Sequence, residues 1–242
     1  MDIGPRPAGS EASERLSRKL RRQLPNPSVQ PLAGGLLNLV STIPGRSPAI
    51  VVGAHYDTEA TIPNFVGAND GAAGTAAVVE LARTIEPYLP DDHREVRFVL
   101  FDGEEEPVGC PDAQFVRCAL RGSKAYAQAH RGEIGQMVLL DYIANKGVRI
   151  PREENSDPAL WAELREAAEE VGKEEVFPAA TQSPVLDDHI PFIATGVPSV
   201  DLIDFLYPYA DTAEDTPDKL STDSLNAVGE TTAELIVRLS GQ

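Results

Sequence analysis

Apolar residues along this chain fall into two patterns. Short, predominantly apolar runs occupy 36–43, 48–54, 95–101, 136–142 and 198–203, as in Ile50-Val51-Val52 and Val138-Leu139-Leu140. Runs of that length, rich in β-branched residues and bounded by turn residues, read as buried strands. Between them, over 11–24, 71–86, 122–131, 157–172 and 222–239, apolar residues recur every three or four positions, the spacing of one helix face. In the first of these, Leu16, Leu20 and Leu24 alternate with basic residues and the pattern stops at Pro25, which predicts an amphipathic surface helix. The helix at 157–172 carries its own start signal, with Asp157 as N-cap and Pro158 at the first helical position.

Strands that are apolar throughout and separated by helices need cover on both faces. The expected fold is therefore α/β, a mostly parallel central sheet with helices on both faces, in a single domain over 1–242. In such sheets ligands bind beyond the carboxyl ends of the strands. That rule sorts the polar residues. His55-Tyr56-Asp57-Thr58 follows the 48–54 run, and Asp102-Gly103-Glu104-Glu105-Glu106 follows 95–101. Asp141 ends the 136–140 run, His189 follows Leu186-Asp187-Asp188 ahead of 198–203, and Asp70 opens the helix after the first of these strands. Ionisable groups thus gather at one edge of the sheet.

Taken singly, each of these acids reads equally well as a cap or turn residue, and each histidine as structural. Together they have the chemistry of a metal centre. Neutral imidazoles and carboxylates are ligands for zinc or a similar divalent ion, and His55, His189, Asp70, Asp141 and one glutamate of the 104–106 run suffice for two ions sharing one carboxylate. Buried acids gathered without a cation would repel one another strongly. A neighbouring Glu could serve as general base toward water, but spacing does not choose among Glu104, Glu105 and Glu106. His93 and His130 fall in a turn and at a helix end and are expected at the surface. The only tryptophan, Trp161, lies on a helix and is expected to pack.

Composition narrows the function classes. A net charge of −17 repels nucleic acid and anionic membrane surfaces, and no run of about 18 apolar residues occurs that would span a bilayer. The start, Met1-Asp-Ile-Gly-Pro-Arg-Pro, lacks the basic and apolar segments of a signal peptide. Cys110 and Cys118 have no neighbouring His and make a poor zinc pair; a local disulfide, favouring a secreted or periplasmic location, and two separate thiols both stay open. The glycine-rich 67–74 segment lacks the Lys-Ser/Thr of a phosphate loop and does not match Gly-x-Gly-x-x-Gly, which excludes nucleotide binding on that pattern. No Gly-x-Ser-x-Gly elbow is present.

In order, Gly53-Ala-His-Tyr-Asp-Thr58, Gly67-Ala-Asn-Asp-Gly-Ala-Ala-Gly74, Phe101-Asp-Gly-Glu-Glu105 and Asp188-His189 resemble the M28 family of zinc aminopeptidases. Gly4-Pro-Arg-Pro-Ala-Gly-Ser10 and Glu214-Asp-Thr-Pro-Asp-Lys-Leu220 extend the resemblance over nearly the whole chain. It implies a zinc-dependent exopeptidase-like fold and a peptide substrate with a free N-terminus. It also implies two zinc ions per chain: Asp70 bridges them, Glu105 and His189 complete one site, and His55 and Asp141 complete the other. Glu104 is then the general base, Asp57 orients His55, and a cis peptide follows Asp70. Phe65-Val-Gly-Ala-Asn-Asp70 and Asp187-Asp-His-Ile-Pro-Phe192 are equally similar to the glutaminyl-peptide cyclotransferases of the same fold. Those form N-terminal pyroglutamate at one zinc, held by residues matching Asp70, Glu105 and His189. A non-catalytic binding module on this fold is the third reading; such relatives lose ligands, and none of the five is missing here. One segment departs from both branches, which often carry Trp-His-Thr where this chain has Tyr209-Ala210-Asp211-Thr212. The missing aromatic implies a substrate pocket that differs from both branches.

Overall fold

The computed structural model describes residues 3–242. In chain order the elements are α1 (Glu11–Gln23), β1 (Ser28–Pro31), β2 (Leu37–Ile43), β3 (Arg46–His55), α2 (Gly74–Thr84), β4 (Arg94–Phe101), α3 (Phe115–Cys118), α4 (Arg121–Ala129), β5 (Ile134–Asp141), β6 (Arg152–Glu153), α5 (Pro158–Glu170), β7 (Thr181–Gln182), α6 (Ile190–Ala194), β8 (Ser199–Ile203) and α7 (Thr222–Ser240). Helix α1 begins where Ser10 accepts a hydrogen bond from the Ser13 N–H, with Glu11 and Glu14 in the first turn and Arg21 and Arg22 in the last. Both placements complement the helix dipole. Helix α5 starts as expected, with Asp157 accepting from the Ala159 and Leu160 N–H groups.

Six strands form the main sheet in the order β1-β2-β4-β3-β5-β8. Strands β4, β3, β5 and β8 are mutually parallel, whereas β2 runs antiparallel to β4 and β1 antiparallel to β2. The parallel expectation holds for the strands that carry the acids. It fails at β2 because only Pro44 and Gly45 separate β2 from β3, far too few residues for the crossover a parallel return needs. The edge strand β1 is short and half-exposed and ends on a proline, so it gives little periodic signal.

Alternation within the strands divides the core. Ile50, Val52, Ala54, Phe98, Leu100, Val138 and Leu140 face one layer, formed by α1, α2, α5 and α7. Val51, Val99, Phe101, Met137 and Leu139 face the other, where Tyr126 of α4 and Phe192 of α6 close over them. Each fully buried Val, Ile or Leu contributes about 1.5–3 kcal/mol relative to exposure. Trp161 packs edge-on against Phe177 with ring centroids 6.2 Å apart, as its helical position predicted.

The topology also makes the crevice. From β3 the chain crosses through α2 to β4 on one side, and from β4 it crosses to β5 on the other side of β3. Connections leaving a strand pair in opposite directions open a gap at the carboxyl ends, where ligands bind in sheets of this kind. His55 pairs in register with Phe101, one residue before the acidic loop, and Asp141 is the last residue of β5.

Candidate metal centre

Ligand atoms of His55, Asp70 and Glu105, all three buried, lie within 4.8 Å of one another. The Nε2 atom of His55 stands 3.1 Å from Asp70 Oδ1 and 3.6 Å from Asp141 Oδ1. Neither ring nitrogen of His55 makes a hydrogen bond, nor does Glu105 Oε1. Buried polar atoms left without partners cost on the order of 1–3 kcal/mol each. A nitrogen donor and two carboxylates at ligand spacing, with lone pairs unclaimed and Asp141 beside the imidazole, fit a divalent cation.

Electrostatics point the same way. Burial first, and then neighbouring acids, push Glu104 and Glu105 well above the usual carboxylate range. Burial also raises Asp141, against the pull of His55. His55 itself is driven well above its ordinary value: burial opposes its charge, but the carboxylates of Asp141, Asp57 and Asp70 override it. Asp187, fully buried beside Asp141, is pushed up to about 7, mainly by burial.

The turn carrying Asp70 runs over Ala68–Ala73 and is irregular. Gly71 takes φ of 74°, and a Cβ there would meet the Asp57 carbonyl oxygen at 2.9 Å and His55 Cε1 at 3.0 Å. The resemblance implied a cis peptide after Asp70. Among the described residues the cis bond is Ser47–Pro48, so the peptide after Asp70 is trans and the left-handed glycine makes the reversal instead. Gly71→Ala is expected to cost roughly 1–3 kcal/mol of stability by denaturant unfolding and to weaken metal binding, because the methyl group displaces the His55 ring.

Asp57 lies 3.7 Å from His55 Nδ1, and its hydrogen bonds go elsewhere. Its carboxylate accepts from the N–H groups of Gly103, Glu104 and Glu105 at 3.0, 3.2 and 3.3 Å. It therefore fixes the loop that presents the two glutamates. His189, expected as a ligand, is set apart from the three clustered residues. It precedes α6, is fully buried, and lies with Nε2 3.3 Å from Glu153 Oε1 and Nδ1 3.7 Å from Asp201 Oδ2. His93 and His130 are half-buried, His130 beside Arg97 and Glu133, away from the cavity.

Several positioning residues escaped the sequence pattern. Arg6 is buried and donates to the carbonyls of Tyr56 at 2.7 Å, Val66, Gly67 at 3.1 Å and Asp70 at 3.2 Å, while its own N–H donates to Thr58 Oγ1 at 2.8 Å. Asp215 accepts from the N–H groups of Asn69 and Asp70, both at 3.0 Å, and from the Tyr207 hydroxyl. Both sit in segments named above by resemblance, but which carbonyls and amides they hold depends on contacts more than 50 residues distant. Arg6→Met should therefore destabilise by about 3–5 kcal/mol in urea unfolding, because it leaves buried carbonyls unpartnered.

The centre opens into a cavity of about 570 Å³ lined by Glu59, Glu104, Glu106, Asp187 and Asp211. Leu186 and Phe205 are exposed on its wall, a wet apolar surface of the kind that marks binding sites. Cys110, on the loop after β4, and Cys118, the last residue of α3, are disulfide-bonded, with Cα atoms 6.1 Å apart. No helix among the described residues is long and apolar enough to cross a membrane.

An α/β sheet with acids and a histidine gathered at a switch point is an arrangement suited to holding a divalent metal ion. The sequence profile of Peptidase family M28 matches residues 38–236, and the chain belongs to that family. It is 28% identical over 201 residues to aminopeptidase YwaD of Bacillus subtilis, covering 76% of this chain and 40% of that protein. It is also 28% identical over 235 residues to the glutaminyl-peptide cyclotransferase of Boiga irregularis, covering 80% of this chain and 62% of the relative. The chain thus spans under two thirds of the length of these relatives. Among solved structures, a glutaminyl cyclase from an Acidobacteriales bacterium superposes with a TM-score of 0.84 at 29% identity, covering 99% of this chain and 90% of the other. The enzyme expectation stands, and its relatives divide between peptide hydrolysis and cyclisation.

Proposed function

We propose that the protein is an aminopeptidase that removes N-terminal residues from peptides and holds two zinc ions. The observation that carries this reading is the His55 imidazole, buried and unpartnered between Asp70 and Asp141. Cyclisation at a single ion needs no such second set of donors. Zinc held by His55, Asp70, Asp141 and Glu105 would polarise the scissile carbonyl and lower the pKa of water toward ~7.

The rest of the work falls to side chains. Glu104 faces the cavity beside Glu105, and burial has raised its proton affinity. It takes the proton of the attacking water and delivers it to the departing amine. Asp57 holds Glu104 and Glu105 by their backbone N–H groups, so both stay aimed as the substrate enters. Glu59 and Glu106 at the mouth attract the ammonium of the peptide's N-terminus, and Leu186 and Phe205 take its first side chains. The disulfide supports an exported location, since such bonds persist in oxidising compartments.

A second reading is pyroglutamate formation. It is favoured by the Asp187-Asp188-His189-Ile-Pro-Phe192 segment and by the 29% identity to a solved glutaminyl cyclase over 99% of the chain. Incubating zinc-loaded protein with peptides that begin with Gln, Leu and Ala, followed by mass spectrometry, separates the two. Loss of whole N-terminal residues supports the aminopeptidase; loss of ammonia alone, confined to the Gln peptides, replaces it with the cyclase.

A further inference from the structure

We propose that Asp211 is itself a metal ligand, and that with Asp70 and Glu105 it makes one half of the centre an oxygen-only site. The inference rests on the reading of this cavity as a metal centre. It starts from the Tyr142 hydroxyl, which lies 2.9 Å from Asp70 Oδ2 and 3.2 Å from Asp211 Oδ1. A phenol has one proton and donates to one carboxylate at a time. The other carboxylate then faces an oxygen lone pair, unless a cation draws both acids together.

The placement of Asp211 is built by the fold. Its loop is pinned by Asp215, and the same Asp215 carboxylate holds the N–H groups of Asn69 and Asp70. Tyr207, at the start of that loop, donates to Asp215 at 2.8 Å. One anchor therefore sets Asp211 and Asp70 relative to each other, and both line the same cavity with Glu105. Glu105 Oε1 is buried and unpartnered, and a carboxylate oxygen of Glu105 lies within 4.8 Å of ligand atoms of Asp70 and His55.

Donor chemistry follows from the count of histidines. The chain has four. His189 lies between Glu153 and Asp201, and His93 and His130 lie outside the cavity. That leaves His55 as the nitrogen donor, beside Asp70 and Asp141. The half formed by Asp70, Glu105 and Asp211 offers oxygen alone. Imidazole sites suit zinc, whereas carboxylate and water sites suit manganese and magnesium. The two halves thus differ in preference: zinc at His55, and a harder ion, or zinc held more loosely, at Asp211. Asp211 sits in the Tyr209–Thr212 segment where the sequence departs from the pattern it resembles.

The test is titration of the metal-free full chain with Zn²⁺ and, separately, Mn²⁺ by calorimetry, for wild type, Asp211→Asn and Asp211→His. Asp211 is exposed at the cavity mouth, so neither variant disturbs the core. Asp211→Asn is expected to weaken one ion at least tenfold while leaving the tightest zinc unchanged. Asp211→His is expected to raise the zinc-to-manganese affinity ratio of that same ion tenfold or more, which a residue merely near the metal would not do. Unchanged affinities in Asp211→Asn, or a ratio within threefold of wild type in Asp211→His, overturn the proposal. Wild-type protein that binds neither ion stoichiometrically overturns the metal-centre reading beneath it.

Discussion

Replacing Glu104 by Gln should lower turnover on peptide substrates by about 10²–10⁴-fold, the range for loss of a general acid–base group. The amide is nearly the same size but cannot take a proton from water. Glu104 is held by its backbone N–H on Asp57, and its carbonyl accepts from the Leu120 N–H, so the loop keeps its course when the side chain changes. Metal content and unfolding midpoint should therefore match wild type. The fall should appear in kcat, with KM little altered, because binding at the mouth is left to other acids. Steady-state kinetics with metal analysis on the same samples checks this. Full activity in the variant would remove Glu104 from the chemistry. Loss of metal together with loss of activity would instead mark it as a ligand.

Chelation should abolish activity and reverse the usual pH dependence of stability. In the metal-free protein Glu104, Glu105 and Asp141 are raised by burial, and Asp187 is raised to about 7 for the same reason. Unfolded carboxyls titrate near ~4. The folded state therefore holds protons that the unfolded chain releases, and stability falls as pH rises through that window. For Asp187 alone the span from ~4 to about 7 corresponds to on the order of 4 kcal/mol. His55, raised above its ordinary value, adds in the same direction: its contribution is full below ~6.5 and is lost as pH rises through its folded value. The metal-free protein should thus be more stable near pH 5 than near pH 8. Cations compete with those same protons, so the loaded protein should show the opposite trend, with affinity rising with pH. Urea unfolding across pH, with and without chelator, tests both. A metal-free stability that is flat or rises with pH would mean the acids are solvated and the centre is not closed.

Much of this protein was legible in its residues. The β-branched runs and helical spacings located five strands and five helices close to their observed positions, since burial on both faces leaves a continuous apolar signature. The rule that parallel sheets bind at their carboxyl ends then singled out the edge carrying His55, Asp70, Asp141 and the Glu104–Glu106 run, because position after a strand is a property of the sequence; within that run only the family resemblance chose Glu105. The limits of that reasoning are equally specific. That β2 pairs with β4 instead of β3 depended on β4 inserting between them, whereas its direction followed from the two-residue link to β3. His189 follows the same positional logic as His55, yet its side chain lies among Glu153 and Asp201, a matter of how α6 and β6 pack. Arg6, Tyr142, Asp211 and Asp215 look like ordinary loop residues until the chain brings them together across 50 residues or more. The sequence by itself determined the strand–helix alternation, the edge of the sheet that carries the acids, and the donor types available there. Which donors converge, which histidine stands apart and which carboxylate approaches Asp70 were decided by tertiary structure, because those facts are distances between segments and no local pattern encodes them.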